Sequence, residues 1–459
     1  MRMSRLLLTF YGDDFTGSTD AMECLELNGI PAVLFLSPPT PTQIEEEFGG
    51  VAAVGVAGVS RTMTPEEMDR ELPPVFSALK QLGAYFFHYK ICSTFDSSPE
   101  IGSVGRAIDI GWKIFEPVAV PVMVGAPFLR RYVVFGNLFA RVGETTYRLD
   151  RHPTMSKHPV TPMGESDLRL HLARQTRRRI ELVDVWHMSK RETEVDERFQ
   201  RLISNGAEVI LFDTLNAGHM LQIGRLIWSL KADTTVFLVG SSGIEYALGM
   251  YLRSRGRLAI PEVARSAGRK APIVVLCGSC APGTAAQIAY ALERGFRGIR
   301  LDCPRLVDPE RADQEREAAL ARTLEALERG QSVVLYTARG PDDPAIEETN
   351  RRLTQLGLNG TSAVRHLGPQ LGRLLRAVLE RTRVRRACVA GGDTCGYVAK
   401  ELGLYALRVA APISPGAPLC RAYLEGGRFD GLEISLKGGQ NGSAAYFDEI
   451  LQGSSQEQK

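Results

Sequence analysis

The residues Ala387 to Ala390 form a short buried run that ends in the turn Gly391-Gly392-Asp393-Thr394. A helical pattern follows from about Gly396 and stops at Gly403, a good left-handed cap. Strand, polar or glycine turn, then helix is the order that recurs along most of the chain, and it constrains the fold more than any other feature. Short buried strands alternating with helices call for parallel sheets with helices on both faces. The turn itself has a chemical reading. A helix N-terminus offers unpaired N–H groups and the positive end of a dipole, and glycines admit a phosphate to hydrogen-bonding distance. The sequence matches neither Gly-x-Gly-x-x-Gly nor the Walker lysine loop, and the same glycines serve equally for close packing with no ligand.

At 459 residues the chain exceeds one ordinary core. The expected class is α/β: two α/β domains with mainly parallel sheets and a ligand cleft between them. The boundaries read as a first domain over 1–255, a linker over 256–270 in a basic, polar stretch, a second domain over 271–452 and a disordered tail over 453–459. Lys and Arg number 55 against 53 Asp and Glu, so no bulk charge argues for nucleic acid. No apolar run is long enough to cross a bilayer, and Leu6 to Phe10 leads straight into Asp13 and Asp14 as a core strand would. The expectation is a cytoplasmic protein that acts on a small molecule, with no nucleic-acid or membrane partner. Eight cysteines in such a chain do not make a disulfide framework, and Cys277-Gly278-Ser279-Cys280 reads as a strand end rather than a metal or redox site.

The first half repeats polar strand ends. Leu6 to Tyr11 is followed by Gly12-Asp13-Asp14 and then a helix over Ala21 to Asn28; two carboxylates there suit polyol hydroxyls, a metal ion or proton abstraction. A strand over Val51 to Val59 ends at Ser60-Arg61, before the capping box Thr64-Pro65-Glu66-Glu67. Arg61 there suits bidentate capture of a carboxylate, and equally an exposed strand end. A strand over Tyr85 to Tyr89 leads into Lys90 and the hydrogen-bonding loop Ser93, Thr94, Asp96. Leu129 to Ser156 reads as irregular or hairpin-like. His152 and His158, each before a proline and six residues apart, suit hydroxyl binding or loop packing better than a metal. In the second half, strands over Leu407 to Ala410, Pro412 to Cys420 and Leu432 to Leu436 precede Lys437-Gly438-Gly439-Gln440-Asn441-Gly442. That loop reads either as an anion nest with Lys437 alongside or as a hairpin turn.

Taken in order, these motifs resemble the four-carbon acid sugar kinases over nearly the whole chain. The carriers are Asp13-Asp14-Phe15-Thr16-Gly17, Ser60-Arg61, the 90–97 loop, His158 to Met163, Gly278 to Cys280 with Thr284 to Gln287, Gly391 to Thr394, Pro415 to Pro418 and the 437–442 loop. The resemblance implies an N-terminal sugar-acid domain and a C-terminal nucleotide domain. It implies substrate contacts at Asp13, Asp14, Arg61, Lys90, Ser93, Thr94, Asp96 and His158, with Asp13 or Asp14 as the catalytic carboxylate. It implies ATP contacts at Ser279, Gly391, Gly392, Asp393, Thr394, Lys437, Gly438, Gly439 and Asn441, with Mg²⁺ whose protein ligands stay open. Cys92 to Ser97 looks like the 3-oxo-tetronate kinase branch. Gly12, Ser98 to Gly102 and Leu129-Arg130-Arg131-Tyr132 depart from that branch, which keeps 3-oxo-isoapionate, threonate and erythronate as alternative acceptors. A non-catalytic sugar-acid binding protein is the alternative of a different class.

Overall fold

The computed structural model describes residues 5–158, 160–259, 266–358 and 363–455. It divides into two compact units, residues 1–262 and 263–459. Residues 260–265 of the expected linker and 456–459 of the expected tail lie outside the described residues.

The first unit contains β1 (Leu8–Gly12), β2 (Ala32–Phe35), β3 (Ala53–Ala57), β4 (Phe86–Lys90), β5 (Val120–Met123), β6 (Arg131–Val134), β7 (Asn137–Val142), β8 (Thr145–Arg148), β9 (Ile180–Val183), β10 (Val209–Phe212) and β11 (Val236–Gly240). The strands β2-β3-β1-β4-β11-β5-β10-β9 form a sheet in that order, with every pair parallel. Runs such as Ala32 to Phe35 and Phe86 to Lys90 are buried at every position, as strands covered on both faces must be. The chain places β2 and β3 on one side of β1 and then crosses to place β4 on the other. That reversal brings the ends of β1, β3 and β4 together, in the crevice where open α/β sheets bind ligands. The register Gly12 with Ala57 and with Lys90 keeps those ends level.

The second unit repeats this logic with β12 (Val274–Cys277), β13 (Arg297–Arg300), β14 (Val333–Tyr336), β15 (Arg386–Ala390), β16 (Leu404–Ser414), β17 (Ala417–Leu424) and β18 (Glu433–Lys437). The order is β13-β14-β12-β15-β18-β17-β16, parallel as far as β18 and antiparallel beyond it. Here β12 lies between β14 and β15, so the chain reverses once more, and Cys277, Ala390 and Lys437 end level with one another.

Several boundaries differ from the sequence reading. The first helix covers Phe15–Leu27, because Asp14 caps it by accepting from the Gly17 N–H at 2.7 Å. The helix after β15 begins at Gly392 rather than Gly396, since Gly391 turns the chain at a φ of 132° that side chains rarely adopt. The stretch read as irregular forms the antiparallel sheet β6-β7-β8. Pro412 does not break the chain into two strands. A single strand β16 runs through it with register shifts, and the turn to β17 falls at Pro415-Gly416. β9 had no counterpart in the sequence reading. The helix Gly243–Ser254 ends just before the expected linker. Gly453 to Ser455, assigned to the tail, pack instead: the Gly453 carbonyl accepts from Ala267 at 2.8 Å and Ser455 is buried.

The second unit also holds one fully buried arginine. Arg386 donates through Nε to Glu433 at 2.7 Å and through Nη1 to the Gly268 and Ile450 carbonyls at 2.8 and 3.0 Å. It ties the start of β15 to β18 and to the C-terminal helix Tyr446–Gln452. Arg386→Leu leaves Glu433 Oε2 and several carbonyls without this donor, while Lys270 stays on Glu433 Oε1 at 2.7 Å, and is expected to cost about 3 kcal/mol. Urea unfolding of the full chain checks this; an unchanged midpoint would refute it.

Candidate functional site

In the first unit the ends of β1, β3 and β4 are held by backbone bonds before any side chain acts. Asp13 N–H donates to the Lys90 carbonyl at 2.9 Å, Gly58 to Gly12 at 2.9 Å, and Arg61 to Asp13 at 3.0 Å. The side chains then close on each other. Arg61 donates from Nη2 to Asp13 Oδ1 at 2.7 Å, from Nε to Asp13 Oδ2 at 3.1 Å and from Nη1 to Asp14 Oδ2 at 2.7 Å. The guanidinium expected to capture a ligand carboxylate is thus engaged by two carboxylates of the chain. Burial alone would lower Arg61, but Asp13 and Asp14 outweigh it and hold the guanidinium well above its ordinary value. Burial pushes the Asp13 carboxyl up to about 6 against the pull of Arg61, and the Asp14 charge adds to the rise.

Lys90 is also partnered. It is buried, and its Nζ lies 3.4 Å from Asp20 Oδ2. Asp20, which was not singled out as a site residue, comes into reach because the helix starts at Phe15 and turns it toward β4. Of the two catalytic candidates, Asp13 has a side chain only 4% exposed with both oxygens on Arg61, whereas the Asp14 side chain is 29% exposed. Asp14 is the accessible carboxylate. Beneath the cluster, His88 is fully buried between Glu245 Oε1 at 2.7 Å and the Gly240 carbonyl at 3.0 Å. With an acceptor at each ring nitrogen, it joins β4 to β11 and to the helix Gly243–Ser254. This pair is too distant in sequence to have been read from local pattern.

The loop after β4 is partly self-satisfied. Thr94 Oγ1 donates to Asp96 Oδ1 at 2.7 Å, and Cys92 lies 2.9 Å from the same hydroxyl. Ser93 is half-buried beside them. His158 makes its hydrogen bonds within its own loop, where Nδ1 lies 3.1 Å from the Thr161 N–H and 3.0 Å from its hydroxyl. The described contacts therefore give His158 a loop-packing role and do not bring it to Asp13 or Arg61.

In the second unit the predicted glycine segments meet. A Cβ on Gly278 would fall 2.2 Å from Thr394 Oγ1, one on Gly391 3.2 Å from the Ser279 nitrogen, and one on Gly439 2.3 Å from Ser279 Oγ. The three strand-end loops touch where any side chain would hold them apart. The helices Pro282–Glu293 and Gly392–Leu402 both start here, and no side chain caps either N-terminus. Thr284 donates to the Gly439 carbonyl at 2.8 Å, and Gln287 donates to the Asn441 and Ser443 carbonyls at 2.9 and 3.0 Å. The loop carbonyls are thereby drawn toward the Pro282–Glu293 helix. Gly392 and Asp393 remain exposed, Gly438 and Asn441 half-buried. Two helix starts with no side-chain cap, set beside glycines, are an arrangement suited to an anion.

Lys437 does not stand alongside that cradle. It is fully buried, its Nζ has no hydrogen-bond partner among the described residues, and it lies 5.7 Å from the Tyr446 ring. The cause is register: Lys437 ends β18 level with Ala390 and Cys277, and its side chain points into the packed layer as theirs do. Burial pushes its pKa down. Among the described residues no group of three or more His, Cys, Asp or Glu side chains is arranged to hold a metal ion.

The first cluster makes a direct prediction. Because the Asp13 pKa is raised, its neutral form persists above the ordinary aspartate range, and its contribution to stability fades as pH rises through about 6. The carboxyl C=O stretch, taken as the infrared difference between wild type and Asp13→Asn, should titrate near 6. Arg61→Gln should move that midpoint upward. A wild-type midpoint in the ordinary carboxylate range would contradict this account.

Comparison with known proteins agrees with this division. A sugar-binding N-terminal domain model matches residues 8–248 and a nucleotide-binding C-terminal domain model matches residues 274–447. A 3-oxo-isoapionate kinase of Paraburkholderia graminis is 47% identical over 448 residues, covering 98% of this chain and 94% of that protein. A 3-oxo-tetronate kinase of Cupriavidus necator is 31% identical over 452 residues, covering 97% of each. A solved structure from Salmonella typhimurium shares the fold with a TM-score of 0.77 at 24% identity, covering 97% of this chain and 98% of its own. No helix among the described residues is long and apolar enough to cross a membrane. On matches that span both units, the chain belongs to the four-carbon acid sugar kinase family.

Proposed function

We propose that this protein is an ATP-dependent kinase of a small oxo-sugar acid, with 3-oxo-isoapionate as the first candidate acceptor and 3-oxo-tetronates as the second. The observation that carries the reading is the pair of strand-end clusters: a carboxylate and cation set on the first unit and a glycine cradle with two uncapped helix starts on the second. The order of the acceptors follows the similarity, 47% to the 3-oxo-isoapionate kinase against 31% to the 3-oxo-tetronate kinase. The sequence departures at 98–102 and 129–132 from the oxo-tetronate pattern support the same order.

In this reading the hydroxyls of the acid lie against Asp13, Asp14, Ser93 and Thr94. The nucleotide phosphates lie against the N–H groups of Ser279, Gly391 to Thr394 and Gly438 to Asn441. Those N–H dipoles stabilise charge on the phosphates without a counter-cation from the chain. Asp14 takes the proton from the terminal hydroxyl as its oxygen bonds to the γ-phosphorus and the bond to ADP breaks. Asp13 holds Arg61 so that it orients Asp14. Mg²⁺ supplies charge neutralisation on the phosphates; it is commonly held by one or two carboxylates and the phosphates themselves, and the exposed Asp393 is the carboxylate of this chain on the cradle.

The test is ADP formation from Mg·ATP with 3-oxo-isoapionate, 3-oxo-tetronates, threonate and erythronate. Turnover of an oxo-acid is expected, fastest on 3-oxo-isoapionate. ADP binding without turnover of any acid would favour a binding protein over a kinase. Asp14→Asn should lower kcat by about 10²- to 10⁴-fold while ADP affinity holds; near-wild-type turnover would remove Asp14 from the role of base.

A further inference from the structure

Two cations expected to contact the acid, Arg61 and Lys90, already face carboxylates of the chain. A bound acid would have to displace Asp13, Asp14 or Asp20 to reach them. A third cation of the first unit has no such partner. Arg131 begins β6, and among the described residues no carboxylate lies within ion-pair distance of it. Its Nη1 donates only to carbonyls, of Leu129 at 3.1 Å, Arg130 at 3.3 Å and Arg141 at 3.5 Å. Its Nε is buried with no acceptor at all. A buried donor left unmatched on a charged group costs folding energy, so its persistence needs a reason.

Position supplies that reason. Burial lowers the Arg131 pKa, and Cys92 and Asp96, on the loop after β4 that carries Ser93 and Thr94, pull it back up. Arg131 also helps hold His152 below its ordinary value, after burial. The strand that carries Arg131 is anchored at this sheet end. Val133 exchanges backbone hydrogen bonds with Thr214 at 3.0 and 2.9 Å, and the buried Asp213 carboxylate accepts from Gly136 N–H at 2.8 Å and from Phe135 N–H. The backbone that carries the guanidinium is therefore fixed, and its planar fork matches a carboxylate.

We propose that Arg131 receives the carboxylate of the acid, and that Arg61 instead orders the carboxylates that face its hydroxyls. This rests on the sugar-acid reading above and names the residue that makes the site selective for acids over neutral sugars.

The test measures calorimetric binding, without nucleotide, of 3-oxo-isoapionate and of its uncharged primary amide to the full-length protein. Wild type should prefer the acid. Arg131→Gln should weaken acid binding by roughly 10- to 100-fold, leave amide binding unchanged and so erase the preference. Arg131→Lys, which keeps the charge without the fork, should restore part of it, and it carries the test should the glutamine variant fail to fold. An undiminished preference in both Arg131 variants overturns the proposal, as does its loss in Arg61→Gln alone or its absence in wild type. The readout is binding, so a wild type that prefers the acid but forms no ADP would count against the kinase reading and not against Arg131. A wild type that forms ADP, with variants that keep the preference, would count against Arg131 alone.

Discussion

A parallel sheet covered on both faces leaves polar chemistry nowhere to stand except at its strand ends, and the rest of this structure follows from that constraint. Strands such as Leu8–Gly12 and Arg386–Ala390 are buried along their whole length. The polar residues that the sequence distributes over widely separated turns are thereby brought to one end of each sheet. The reversal of strand order around β1 in the first unit, and around β12 in the second, opens the space in which these turns meet. One architectural rule, applied twice, gives a candidate site on each unit.

The two sites use opposite electrostatics. The first is built from full charges that neutralise one another, Arg61 across Asp13 and Asp14 and Lys90 against Asp20, with His88 hydrogen-bonded to Glu245 below. Such sets are rigid because each member would be costly to leave unpaired in a buried place. The second offers backbone N–H groups and helix starts, held close by Gly278, Gly391 and Gly439, with Asp393 exposed at its edge. The lysine adjoining that loop is turned inward and left without a partner. Dipoles suit a ligand that brings high charge of its own, since a fixed cation is then unnecessary for attraction. Balanced charges suit a ligand that is mostly hydroxyl, where orientation matters more than net attraction.

The alternation of strands and helices was legible in the sequence because each element is short, apolar and closed by a recognisable cap or glycine. The Thr64 to Glu67 capping box stands where the sequence placed it. What failed was of two kinds. Local signals misled where a polar run was helix rather than loop, as at Phe15 to Asp20, or where Pro412 lay within a continuous strand. Partnerships were invisible where they join distant residues. Nothing near Arg61 in sequence says that Asp13 and Asp14 will occupy it, and nothing near Lys437 says that its side chain will face Tyr446. The turns after β12, β15 and β18 were recognised individually, but only the register of those strands shows that their glycines touch. The one sequence signal for Arg131 was the departure at Leu129 to Tyr132, which marks a difference without saying what the difference does.

Charge accounting then fixes the direction in which an acid would lie. Around β1 and β4, three carboxylates, Asp13, Asp14 and Asp20, face two cations, Arg61 and Lys90. Even with Asp13 raised to about 6, this end is net negative at neutral pH and repels a second carboxylate while accepting hydrogen bonds from hydroxyls. Arg131 makes no ion pair among the described residues and is within electrostatic reach of Cys92 and Asp96. A molecule with an acid group at one end and hydroxyls at the other is thus pulled by its carboxylate toward Arg131 and presents its hydroxyls to Asp14. The hydroxyl farthest from the carboxylate is then the one beside the accessible base. In the proposed reading, this placement of Arg131 favours phosphorylation at the terminal position rather than next to the acid group.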